Sequence, residues 1–152
     1  TRMVEDLLQY TKFIAGTSQD ACDMGEKYLS AANFKTKKVE KLEALELAKI
    51  LETTYFGLLL AWAQEIERIS KSLDVDYEDA LLLTEEVNYL PPVHFQPGYI
   101  GGHCIMPNIE LLEKIYKSPF LELIKESNEI KKKEWLNEGK DLAERLAPKF
   151  MK

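Results

Sequence analysis

The residues from His94 to Asn108 carry the types and spacing that could do chemistry. A Pro/Gly-rich run, Phe95-Gln96-Pro97-Gly98-Tyr99-Ile100-Gly101-Gly102-His103, leads to Cys104 and then to Ile105-Met106-Pro107-Asn108. Gly98, Gly101 and Gly102 allow backbone angles and close approaches that a side chain forbids, and Pro97 removes a donor and stiffens the path. Such a loop can hold Cys104 where a substrate reaches it. Asn108, ahead of Ile109-Glu110-Leu111-Leu112, reads as the N-cap of the next helix. A thiol just before a helix N-terminus lies in a field that favours the thiolate, the nucleophilic form. The same spacing also describes a surface loop with a buried, inert cysteine, since free cysteine is among the most buried residue types.

The other constellations are weaker. His94, His103 and Cys104 match no closed four-ligand zinc spacing, and neighbouring residues seldom bind one ion together, so no metal is expected. His103 reads as a loop residue bonding locally. The Tyr and Phe residues do not interleave with a basic patch, which argues against a platform for single-stranded nucleic acid. Leu81-Leu82-Leu83 read as core, Lys131-Lys132-Lys133 as a solvated face, and Lys49 taken alone as a solvated helix lysine.

The elements that must position this loop are mostly helical. A helical pattern over Arg2 to Tyr10 precedes a short strand from Thr11 to Ala15. Thr17-Ser18-Gln19-Asp20 starts a helix reaching Ala31 or Ala32, and Phe34 to Val39 forms a second short strand. From Lys41 to Leu73 only Gly57 interrupts a long helix. Its middle, Tyr55 to Ala63, is apolar around most of its circumference and should be buried on several sides, either as a central core helix or against a second copy of the chain. Asp76 begins another helix ending near Asn88, and Tyr89 to Cys104 is a long irregular stretch of the kind that is commonly functional or disordered. Helices over Asn108 to Tyr116 and Pro119 to Leu146 complete the chain.

With 20 basic and 26 acidic residues the net charge is −6, so long-range electrostatics disfavour nucleic acid and anionic membranes, and any phosphate must be met locally. There is no run of eighteen apolar residues and no signal-peptide pattern, so the expectation is a soluble, cytoplasmic protein. Cys22 and Cys104 are too few for a disulfide framework; counting leaves one bridge open, and both are read as reduced. The 152 residues suffice for one core. No G-x-G-x-x-G follows a strand, so the usual backbone cradle for a dinucleotide pyrophosphate is missing from these residues. The sequence starts at Thr1 without methionine, as a fragment or processed chain would.

Phe95 to Asn108 resembles the active-site loop of the nucleotide-sugar 6-dehydrogenases, the UDP-glucose/GDP-mannose dehydrogenase family, whose pattern is close to F-x-P-G-x-G-x-G-G-[HS]-C-x-x-x-D. A second motif, Glu46-Leu47-Ala48-Lys49-Ile50-Leu51-Glu52-Thr53-Thr54-Tyr55, is similar to the family's E-L-x-K-x-x-x-N-[TA]-[YF] helix, followed by Glu65 where the family has a glutamate. Lys12 to Ser18 is similar to the last strand and turn of the family's cofactor domain, and Ser127-Asn128-Glu129 to the start of its helix toward a third domain. The resemblance implies a mainly α fold, with a long central helix in a helical domain like the C-terminal domain of 6-phosphogluconate dehydrogenase. It also implies a short α/β remnant of an NAD-binding domain over residues 1–40, a dimerisation domain over 41–152, and a homodimer built on the long helix.

In the family a primary alcohol is oxidised to a uronic acid by two hydride transfers to NAD, with a cysteine holding the intermediate as thiohemiacetal and then thioester, which water hydrolyses. Carried over residue by residue, the resemblance makes Cys104 the nucleophile and Lys49 the ammonium that stabilises oxyanions. Thr53, Phe95, Gly98, Gly101, Gly102 and Asn108 become contacts to a nucleotide-sugar. Cofactor-binding residues cannot be assigned; NAD serves the family, and none is expected to bind this chain alone.

Three positions depart from the pattern. Thr53 replaces an asparagine that orients water and oxyanion, and Asn108 replaces an aspartate that positions groups for hydrolysis, which removes a charge and any base function. The loop from Pro97 to Cys104 is one residue shorter than the pattern, with Tyr99-Ile100 narrowing the cradle. Two readings remain: the dimer-forming, substrate-contacting part of an NAD-dependent nucleotide-sugar dehydrogenase, inactive without a cofactor domain, or a degenerate, non-catalytic dimeric module that binds a sugar nucleotide or serves a structural role.

Overall fold

In the computed structural model, residues 7–88 and 95–140 are described. They form a mainly helical protein with one pair of short strands, in two compact units, residues 1–51 and 52–152.

The first unit is a strand–helix–strand passage. Strand β1 (Lys12–Ile14) and strand β2 (Thr36–Lys38) pair in parallel, Phe13 opposite Lys37, joined by helix α1 (Gln19–Ala31). Parallel neighbours need such a crossover because a hairpin turn cannot bring them side by side. Ser18 caps α1, its hydroxyl accepting from the Ala21 N–H at 3.2 Å. Asn33, at φ 62°, turns the chain back toward β2. Residues 7–9 are helical, and the rest of the helix expected from Arg2 lies outside the described residues.

Helix α2 (Leu42–Ser72) begins in the first unit and continues through the second. Its 31 residues span about 46 Å at 1.5 Å per residue. Within the second unit its buried positions are Thr53, Gly57, Ala61, Ala63, Gln64 and Ser70, so the inner face is made of small and polar side chains. Two aromatics of the apolar middle face outward, Tyr55 at 52% and Trp62 at 58% exposed in the single chain, while Phe56 is partly covered. In the single chain the buried positions spread over about half of the helix circumference, Ala61 and Ala63 lying on opposite sides of it, while the side that carries Tyr55 and Trp62 is exposed.

Helix α3 (Tyr77–Glu86) follows, capped by Asp76, whose carboxylate accepts from the Glu78 N–H at 2.9 Å. Of the leucine triplet only Leu81 is core, Leu82 and Leu83 being exposed, as a single-faced helix of ten residues requires. Helix α4 (Ile105–Ile115) starts three residues earlier than Asn108 suggested, and helix α5 (Pro119–Asn137) begins with Ser118 as cap and Pro119 in its first turn. Ser127-Asn128-Glu129 lie in the middle of α5 and start no helix. The helix ends at Asn137, followed by Gly139 at φ 72°, the left-handed conformation that commonly ends helices, and the expected stretch from residue 141 to Leu146 lies outside the described residues. Lys131 is not on a solvated face: it is 2% exposed, its ammonium held by Glu67 of α2 and by Glu134 at 3.2 Å. The core gathers Ala61, Leu81, Ile100, Ile109, Leu121, Ile124 and Trp135 from these helices and the loop before α4.

Candidate active site

Residues 95–104 form no helix or strand, and their backbone order comes from two tight turns and from side chains of the surrounding helices. The Gly98 N–H donates to the Gln96 carbonyl at 2.8 Å, and the Gly101 N–H to that of Tyr99 at 3.1 Å. The Phe95 ring meets Phe56 of α2 edge-on, with centroids 5.2 Å apart, while the Phe95 carbonyl accepts from the Tyr77 hydroxyl at 2.6 Å. Burial, with the carboxylates of Glu78 and Glu67 adding to it, pushes the Tyr77 phenol up to about 12, so it stays a donor throughout the neutral range.

Beyond Ile100 the loop turns outward. Gly101, Gly102, His103 and Cys104 are all exposed, and Gly102 takes φ 95°, which side chains rarely adopt. Cys104 occupies the N-cap position of α4, with a free and exposed thiol that makes no capping bond. Met106 and Pro107 then occupy the first turn, where the missing Pro N–H leaves no intrahelical bond unmade.

Asn108 is thus no cap. It lies one turn inside α4, where its Nδ2 donates to Oγ1 of the buried Thr53 at 2.9 Å. The two departures from the family pattern contact each other, an amide and a hydroxyl bonded where the pattern has a carboxylate and an amide. One turn further along α2, Gly57 lets α4 settle: a Cβ there would stand 2.8 Å from Ile105 Cγ2 and 3.3 Å from Ile109 Cδ1. Gly57 thereby sets how close the start of α4, and Cys104 immediately before it, comes to α2.

Lys49 is an exposed residue of α2 in the first unit, one turn before Thr53. Glu65 is half-exposed and accepts from Arg68 at 2.6 Å. His94 lies outside the described residues. Among the described residues no three His, Cys, Asp or Glu gather as a metal site, and no helix is long and apolar enough to cross a membrane. Residues that spacing did not single out complete the surroundings of the loop: Gly57, Gln64 and Asn128. A glutamine beside Ala61 and Ala63 in an apolar stretch was the available signal for Gln64.

Among the described residues of the first unit, a backbone cradle for a dinucleotide would have to lie at the strand-to-helix turn Ala15-Gly16-Thr17-Ser18. A cavity of ≈450 Å³ opens there, lined by Gly16, Ser18, Cys22 and Lys38 among others. Ser18 already caps the helix where a phosphate would approach, and Lys38 is committed to Asp23 at 2.6 Å and Glu26 at 2.8 Å. These residues do not fit a pyrophosphate.

A helical domain on one long helix, with an exposed cysteine at the head of a following helix, defines a class of protein. Residues 43–132 match the model of the UDP-glucose/GDP-mannose dehydrogenase family, central domain, and the chain belongs to that family. It is 36% identical over 90 residues to a UDP-N-acetyl-D-glucosamine 6-dehydrogenase of Salmonella typhi, covering 59% of this chain and 20% of that protein. It is 29% identical over 97 residues to the protein CapL of Staphylococcus aureus, covering 62% of this chain and 22% of that one. Against a UDP-N-acetyl-D-mannosamine dehydrogenase of Methanocaldococcus jannaschii the identity is 27% over 133 residues, 84% of this chain and 29% of the relative. The chain thus spans between a fifth and three tenths of the length of these relatives.

Proposed function

We propose that these residues form the thiol-bearing, substrate-contacting and dimer-forming part of a nucleotide-sugar 6-dehydrogenase acting on a UDP-linked sugar of the N-acetylhexosamine type. The observation that carries this reading is the exposed Cys104 at the N-cap position of α4, on a loop fixed to the helices beneath it. The names of the relatives support the substrate class. In this reading the Cys104 sulfur adds to the C6 aldehyde. Phe95, Gly98, Gly101 and Gly102 shape the sugar-nucleotide cradle. NAD is the hydride acceptor in this reading.

The homodimer is supported by Tyr55, Trp62 and Ile69, exposed apolar residues that recur every seven positions on α2, as on a helix packing along a partner. One observation favours the second reading, of a module that binds but does not oxidise: Thr53 and Asn108 are bonded to each other, and neither is a base. Protection of the thiol tests the proposal. UDP-N-acetyl-D-mannosamine or UDP-N-acetyl-D-glucosamine at millimolar concentration should slow iodoacetamide modification of Cys104 by about tenfold or more. Unchanged modification with both nucleotides would sink the substrate-contacting role.

A further inference from the structure

The loop before Cys104 buries backbone polar groups that no strand or helix ladder satisfies. Gly98 and Ile100 are both buried, and a buried carbonyl or amide left without a partner is destabilising. Two side-chain amides meet this demand, one from each neighbouring helix. Gln64 of α2, 0% exposed, donates from Nε2 to the Gly98 carbonyl at 2.7 Å. Asn128 of α5, 2% exposed, takes both sides of one residue: Oδ1 accepts from the Ile100 N–H at 2.7 Å, and Nδ2 donates to the Ile100 carbonyl at 3.1 Å.

The two amides are themselves fixed. The Ser127 hydroxyl, next to Asn128, donates to Gln64 Oε1 at 2.8 Å and accepts from the Arg68 guanidinium at 2.8 Å. Four residues, Gly101 to Cys104, then run exposed to the start of α4, whose own place is set at Gly57. The thiol is suspended between two anchors, Ile100 on one side and Ile105 on the other.

We infer that Asn128 and Gln64 are positioning residues for Cys104, which through the backbone of Ile100 and Gly98 hold its thiol at the N-terminus of α4. Neither side chain need touch a substrate. The inference rests on the proposed role of Cys104 as the reacting thiol, and it is tested without substrate or cofactor.

The test is the rate of Cys104 alkylation by iodoacetamide at fixed pH, set against thermal stability, in the full 152-residue chain. Asn128→Leu keeps the number and branching of side-chain heavy atoms and removes both bonds to Ile100; Leu121→Ala, in the α5 core, serves as a control that loosens packing without removing a hydrogen bond to the loop. Asn128→Leu should change the alkylation rate about threefold or more, because the exposed run from Gly101 to Cys104 loses its anchor at Ile100. Leu121→Ala should leave the rate near wild type at an equal or larger loss of Tm. Asn128→Asp, which keeps the acceptor for the Ile100 N–H, should fall between, and it is the informative variant if Asn128→Leu does not fold; Gln64→Leu should act in the same direction as Asn128→Leu. Rates unchanged in the Asn128 variants, or changed no more than in Leu121→Ala, would overturn the positioning role. That outcome is distinct from failure of the proposed function, which shows as absence of nucleotide-sugar protection in the wild-type chain.

Discussion

At the scale of single residues, the site is governed by two close approaches between α2 and α4. One is the bond from Asn108 to Thr53, the other the contact of Gly57 with Ile105. Gly57→Ala should destabilise the protein. The gain in helix propensity of about 1 kcal/mol is outweighed by overpacking of about 1–3 kcal/mol where the added methyl meets Ile105 and Ile109. Thermal melting reads this, and a raised Tm would mean that α4 can retreat without cost. The motif residues Cys104 and Lys49 were visible in the sequence because their types and spacing match a pattern. The partnership of Thr53 with Asn108 was not, since a hydrogen bond across 55 residues of chain leaves no periodic trace. Asn108 was misread as a cap for a related reason: asparagine suits a cap locally, and here a tertiary partner claims its amide.

At the scale of elements, helices and strands were legible because their hydrophobic periods and caps are local; Ser18 and Asp76 cap where expected. What resisted reading was which face of each helix is covered. Lys131 looks solvated in a run of three lysines, yet Glu67 on α2 accepts a hydrogen bond from its ammonium inside the unit. Helix α3 contributes to the loop through Tyr77, and its titration can be followed. Because the folded phenol is pushed from 10.0 up to about 12, the native state holds its proton more tightly than the unfolded chain. The resulting stability is fully present below pH 10 and is lost as pH rises through 12. Tyr77→Phe should cost about 1 kcal/mol near neutral pH through the lost bond to Phe95. It should also flatten the alkaline decline by about 1 kcal/mol, after allowance for the solvent reaching a half-buried group. Denaturant melts at pH 8 and pH 11 check both, and an equal decline in the two proteins would show that Tyr77 is not the group responsible.

At the scale of the whole molecule, the long helix presents two unlike faces. Small residues inward let α4 and α5 approach, and Tyr55, Trp62 and Ile69 are exposed in the single chain, the seam of the proposed homodimer. If that seam joins two copies, Trp62→Glu should shift sedimentation toward monomer while melting stays within about 1 kcal/mol, because Trp62 is exposed in the single chain. An unchanged sedimentation coefficient, or a wild type that is monomeric at micromolar concentration, would refute the dimer. Given a UDP-sugar and NAD, the 152 residues alone should form no NADH, since hydride transfer needs the nicotinamide held at reacting distance and the first unit does not fit its pyrophosphate. Steady NADH formation abolished by Cys104→Ala would reveal a cofactor site among these residues.

The anchoring of the loop also has a consequence in time. Gly98 waits on Gln64, 34 residues earlier, and Ile100 on Asn128, 28 residues later, so the loop as a whole is not secured until α2 and α5 have both closed around it. Contacts so far apart in sequence form late, after local helices and their first collapse. The thiol is then among the last groups to find its place as the chain folds. A partly folded molecule can carry every helix and still present Cys104 as an ordinary surface cysteine. Pulsed thiol labelling during refolding would register the native labelling rate after the helical signal has already returned.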